Sequence, residues 1–264
     1  MKRRAFLETS TLAGAAVLMG GTGIGARAAA PGREFYELRV YERPTGNRKA
    51  VLNEYLAKAA IPAWNRLGLG PVGAFTVVSG ANELMLYVLV PYPDLEAFLS
   101  APAKLAGDAE YMKAAAGYLA APIDNPAYTR YEGWLLRAFT KVPRLRVPAE
   151  TEEKKPRLFE LRVYESHSET AALKKIEMFN DGSEIALFDQ VGARSVFFGQ
   201  TLVGPRQPNL VYMTVHADMA ARDKAWNLFG NSEGWKKLGS DPAYANTVSA
   251  VEIIFLRPTA YSQI

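Results

Sequence analysis

Phe35-Tyr36-Glu37-Leu38-Arg39-Val40-Tyr41-Glu42 returns as Leu158-Phe159-Glu160-Leu161-Arg162-Val163-Tyr164-Glu165, 123 positions further along, with six of the eight residues identical. A spacing of that size is too long for a solenoid repeat and suits one small domain present twice. The match extends beyond the octapeptide. Gly73-Ala74 is answered by Gly192-Ala193, and Glu132 with Leu136-Arg137 by Glu252 with Leu256-Arg257.

Working outward, each copy carries the same order of patterns. In the first, Glu34–Tyr41 alternates and is rich in β-formers. A helical stripe runs from Asn47 to Ala60, with Pro62 and the glycines Gly68 and Gly70 expected to end it. Gly73–Ser79 and Leu84–Val90 form a hairpin about Ser79–Glu83. A second helical region starts behind Asp94 as cap, and Arg130–Arg137 is a last strand. The second copy reads strand 158–164, helices 169–179 and 184–190, hairpin strands 192–198 and 210–216, helical residues 218–238 behind Asp218, and strand 248–256. This is β-α-β-β-α-β twice, an α+β fold of two ferredoxin-like repeats. Paired sheet to sheet, they predict an α/β barrel of the dimeric type. The expected divisions are a signal over 1–28, repeat one over 33–140, a linker over 141–156 and repeat two over 157–260. The linker is rich in Pro, Lys, Arg and Glu and reads as exposed.

The first 28 residues read as a twin-arginine export signal: Arg3-Arg4 before Phe6-Leu7, an apolar stretch, and Ala26-Arg27-Ala28 with cleavage after Ala28. The protein is therefore expected to be exported, periplasmic or secreted. That segment holds Lys2, Arg3, Arg4 and Arg27 against Glu8, which leaves 27 basic and 26 acidic residues. A near-neutral remainder gives no electrostatic basis for nucleic-acid or anionic-membrane binding, and no span is expected in the mature chain. Cysteine is absent, which removes disulfides, thiolate catalysis and Cys-ligated metals.

Side chains alternate across a strand. Leu38 and Val40, like Leu161 and Val163, share one face. Glu37, Arg39 and Tyr41, like Glu160, Arg162 and Tyr164, share the other, and Tyr87 and Tyr212 are aligned with them on the third strands. If the aliphatic face meets the helices, the Glu/Arg/Tyr sets line the barrel interior, as an inter-repeat ion-pair network or a pocket for a small organic ligand.

At these residues the chain resembles the NIPSNAP family: the YELRVY/FELRVY opening strand, the helix–Gly–hairpin middle, the acidic-aromatic elements Asp108-Ala109-Glu110-Tyr111 and Ser232-Glu233-Gly234-Trp235, and the closing strands at Glu132–Arg137 and Glu252–Arg257. The resemblance implies the dimeric α/β-barrel fold and little chemistry. No catalytic residue is assigned, no metal site is expected from two histidines, and no cofactor is expected. His216, at the end of a strand, is the one candidate acid/base, and the residue a haem would use by analogy with some related barrels. His167 reads as a loop residue. The first reading is an exported ligand-binding or structural barrel, with homo-oligomerisation as a further expectation. The rivals are a monooxygenase- or isomerase-type enzyme using His216 with Arg39 and Arg162, and an oligomeric interaction protein with a filled barrel.

Overall fold

The computed structural model describes residues 32–45, 49–78 and 83–264. The expected export signal with Ala28, the start of the first helix at Asn47 and the hairpin tip at Ser79–Asn82 lie outside the described residues.

The first half runs β1 (Phe35–Glu42), α1 (Lys49–Tyr55), a π-helical turn (Leu56–Ala60), α2 (Ile61–Arg66), β2 (Gly73–Val77), β3 (Met85–Tyr92), α3 (Leu95–Ala106), α4 (Ala109–Ala114), α5 (Ala116–Leu119) and β4 (Arg130–Ala138). The second runs β5 (Leu158–Glu165), α6 (Glu169–Asn180), α7 (Glu184–Val191), β6 (Arg194–Val203), β7 (Asn209–His216), α8 (Met219–Asn231), α9 (Glu233–Gly239) and β8 (Ala250–Pro258). Asp94 and Asp218 cap α3 and α8 by accepting from the amides of Ala97 and Ala221. The first helical stretch passes Pro62 and ends at Arg66, just short of Gly68. The Ile61 amide reaches back to Leu56 O, so the hydrogen-bond ladder is already shifted and Pro62 falls in a fresh first turn, where its missing N–H costs nothing.

The strands close into one antiparallel barrel in the order β1-β3-β2-β8-β5-β7-β6-β4. Each half contributes four neighbouring strands, and β2–β8 and β4–β6 are the seams. Among the described residues, closure within one chain gives every strand a neighbour on both sides.

The strand faces are the reverse of the sequence expectation. Tyr36 and Leu38 of β1 pack with Phe159, Leu161 and Met213 of the second half in one buried cluster that fills the barrel. Rings cross between the halves at Tyr36–Phe197 (5.2 Å) and Phe75–Phe159 (4.8 Å). The Glu/Arg/Tyr faces point outward, under the helices. An eight-stranded lumen is just wide enough to be filled by side chains and offers no partner for a charge. The helix layer does offer partners, so the polar row goes there.

Register also corrects one alignment. Val40 faces Tyr87 and Arg39 faces Val88, whereas Val163 faces Val211 and Arg162 faces Tyr212. Tyr212 therefore corresponds to Val88. Tyr87 lies one residue off, and the period of two puts it in the barrel cluster instead. The 141–156 segment is exposed only in part. Val142 is buried, the Leu145 amide donates to Glu34, and the Arg146 amide donates to Val196 O, which ties the connection to both halves.

Candidate functional site

Each half holds a polar layer between the outer face of its sheet and its helices. In the first, β1 presents Glu37 and Arg39 on one face, two residues apart. Arg39 Nη2 donates to Glu37 Oε2 at 2.9 Å, with Nε 2.8 Å from Oε1. Tyr92 on β3 and Tyr131 on β4 donate their hydroxyls to the same carboxylate at 2.9 and 3.1 Å. The Arg39 guanidinium lies 4.7 Å over the ring of Trp64 from α2, and its Nη1 reaches the Tyr41 hydroxyl at 3.4 Å.

Above this pair is a cleft of about 540 Å³ with Glu37 and Arg39 at its floor. Phe98 and Leu105 of α3 and Tyr111 of α4 form much of its wall. Trp64, also in the wall, is fully buried, and its indole N–H has no acceptor among the described residues. Tyr55 and Tyr111 share a hydroxyl contact of 3.1 Å.

In the second half the Glu160 carboxylate is wholly buried. Arg162 donates to Oε1 at 2.7 Å, Arg222 of α8 donates to both oxygens at 3.0 Å, and the Trp226 indole donates to Oε2 at 2.7 Å. Burial alone would raise its pKa. The bonds from Arg222, Arg162 and Trp226 outweigh burial and hold the carboxyl below the usual range. Arg162 Nη1 donates to the Tyr164 hydroxyl (3.1 Å), which also accepts from Tyr212 (3.0 Å). A cavity of about 280 Å³ opens beside Arg162, walled in part by Trp226 and Trp235.

The predicted residues are thus found in two separate sets. Glu37, Arg39 and Tyr41 interact within the first half, and Glu160, Arg162, Tyr164 and Tyr212 within the second. No contact joins the two sets across the barrel, because eight strands of apolar side chains lie between them; the inter-repeat network is not formed. Tyr87 joins neither set.

His216 is buried at the end of β7, with Nε2 3.1 Å from Thr214 Oγ1 and 3.6 Å from Glu160 Oε2. Burial pushes its pKa down to about 4. Glu160 opposes this, but Arg222 and Arg162 reinforce it. Its ring lines neither cleft, and its Nδ1 is buried without a hydrogen-bond partner among the described residues. It lies in the Arg162 layer, apart from Arg39. Among the described residues no group of three or more His, Asp or Glu is gathered as a metal site, and no helix is long and apolar enough to cross a membrane.

Trp64, Tyr92, Tyr131, Arg222, Trp226, Lys175 and Glu184 complete these layers and were not singled out from the sequence as site residues. One signal was present. Arg222 and Trp226 stand four apart on a capped helix, so they share the face that an antiparallel sheet would meet.

Fold and layers together define an α+β protein whose closed antiparallel barrel has a solid centre and side-chain-built clefts outside it. The chain belongs to the NIPSNAP family, whose model matches residues 36–122 and 159–263. It is similar in fold to a candidate monooxygenase from Lactobacillus acidophilus, with 11% identity, TM-score 0.56, and 86% of this chain and 94% of that one covered. It is also similar to an anthrone oxidase-like protein, with 10% identity, TM-score 0.52, and coverage of 88% and 94%. An uncharacterized NIPSNAP-like domain protein from Burkholderia xenovorans covers 40% of this chain and 88% of its own, at 18% identity and TM-score 0.36. No curated protein matches the chain.

Proposed function

We propose that the protein is an exported binding protein, built from two copies of one NIPSNAP domain, that holds a small, largely apolar organic molecule in the first-half cleft. The observation that carries this reading is the cleft of about 540 Å³ floored by the partly buried Glu37–Arg39 pair. Its volume lies within the range of small-molecule pockets, and its make-up is what such pockets have: apolar walls with a few fixed polar groups. The apolar body of the ligand lies against Phe98 and Leu105. A polar acceptor on it takes a hydrogen of Arg39. Export to the periplasm or beyond, through the twin-arginine segment, is part of the same proposal. The barrel needs no second chain for closure, so homo-oligomerisation would use faces outside its seams.

The test uses N-phenyl-1-naphthylamine, a neutral apolar dye that brightens out of water. Wild-type protein is expected to enhance its fluorescence at micromolar concentration. Leu105→Trp, which fills the cleft from its wall, is expected to weaken dye binding at least tenfold, with near-UV circular dichroism retained. Absence of enhancement by the wild type, or undiminished enhancement by a folded Leu105→Trp variant, overturns the reading.

A further inference from the structure

The second-half cavity has a different chemistry from the first-half cleft. Three cations border it: Arg162 from β5, Lys175 from α6 and Arg222 from α8. Lys175 is buried and pairs with buried Glu184 at 2.8 Å. Arg162 and Arg222 share one carboxylate, that of Glu160. Arg222 also meets Asp223, but Asp223 is largely exposed and its charge is screened by water. The buried layer therefore holds three cations against two carboxylates.

Its donors are also incompletely used. Arg162 directs Nε and one Nη2 hydrogen to Glu160 and one Nη1 hydrogen to Tyr164, so two of its five guanidinium hydrogens have no acceptor among the described residues. Lys175 Nζ reaches Glu184 and, more weakly, the Met178 sulfur at 3.2 Å, with the Phe179 ring 4.7 Å away, so its third hydrogen has no oxygen or nitrogen acceptor among the described residues. The walls are aromatic: Arg162 stacks 4.0 Å over Trp226, and Trp235 lies opposite α6 with Lys175 5.8 Å above its ring.

We propose that this cavity binds a compact carboxylate with a flat apolar body, its oxygens accepting from Arg162 and Lys175 and its ring lying against Trp226 and Trp235. A volume of about 280 Å³ admits one ring and its carboxylate, just below the usual range for pockets that take drug-sized ligands. The site is separate from the first-half cleft and stands on its own residues.

The experiment is calorimetric titration of the full chain with sodium benzoate, and with benzamide as the neutral isostere. Benzoate is expected to bind at least tenfold more tightly than benzamide, because bonds to the charged oxygens are the stronger ones. Lys175→Met is expected to weaken benzoate at least tenfold. If that variant does not fold, Arg162→Lys serves in its place: it keeps the charge beside Glu160, loses the planar fork, and is expected to weaken benzoate by a similar factor. Equal binding of the two probes, no benzoate binding by the wild type, or a folded variant with wild-type affinity overturns the proposal. Titration in saturating N-phenyl-1-naphthylamine separates the two sites. Unchanged benzoate affinity places benzoate outside the first-half cleft, and competition overturns the proposal. Failure of the dye alone to bind counts only against the first-half reading.

Discussion

His216 gives the sharpest quantitative test of how the second layer is held together. Its side chain is buried beside Glu160, whose two oxygens are already taken by two arginines and an indole, so a proton on the ring would find little compensation. The folded-state pKa is lowered from 6.5 to about 4. A group with a depressed folded pKa contributes stability that is complete above its unfolded value and lost as pH falls through the folded one, so the window here is pH 6.5 down to about 4. At one pKa unit per 1.36 kcal/mol, the loss between pH 7.5 and pH 4.5 is about 2.5 kcal/mol. With a urea slope of about 3 kcal/mol/M for a chain of this size, the midpoint drops by about 0.8 M from this residue alone. Other carboxylates add to the acid loss, so the measurement is a difference. Urea midpoints of wild type and His216→Gln are taken at both pH values, and the gap between the two proteins should narrow or reverse by about 0.8 M on acidification. A gap that does not change with pH would mean that His216 titrates as if in water, and the buried layer described around it would be wrong.

Three further substitutions probe the same architecture. Glu160→Gln leaves the Arg162 guanidinium buried without its counter-charge and is expected to cost about 3–5 kcal/mol, read as a melting temperature lower by about 10 °C. Phe197→Ala empties part of the filled barrel where the ring meets Tyr36, and should cost about 3–5 kcal/mol in urea titration; a cost below 1 kcal/mol would argue against a packed centre. Asp218→Ala removes the α8 cap and should cost about 1 kcal/mol, with Asp94→Ala at α3 costing about the same, since each carboxylate accepts one amide in the first turn.

Much of the fold was legible because it rests on local and repeated signals. Sequence pattern placed seven of the eight strands to within about two residues, with β6 running five residues further than read, and Asp94 and Asp218 read as caps and are caps. What was not legible is which face of a doubly buried strand looks inward. Leu38/Val40 and Glu37/Arg39 are both covered, so hydrophobicity alone cannot choose between helices and lumen. The choice is made by partners distant in sequence: Tyr92 and Tyr131 for Glu37, Arg222 and Trp226 for Glu160. The misalignment of Tyr87 with Tyr212 has a related cause. Both sit among apolar neighbours on a third strand, and only the pairing register separates lumen from helix side.

The two layers also show how an identical strand can build unlike sites. Glu-Leu-Arg places a carboxylate and a guanidinium on one face in both halves, and each pair is neutral by itself. The first half completes its carboxylate with two tyrosine hydroxyls, which add hydrogen bonds and no charge. Its layer stays neutral, and the space above it can be large and apolar. The second half completes the same carboxylate with a second arginine and adds the Lys175–Glu184 pair, so a positive charge is left over beneath aromatic walls. Leaving a buried cation unpaired is expensive, and such a layer is stable only if the charge reaches water or is met by an anion. Arg222, with 18% of its side chain exposed, serves the first route, and Arg162, at 11%, does so somewhat less. The repeated face of the strand therefore sets the position of both layers, while residues outside the repeated octapeptide set their charge.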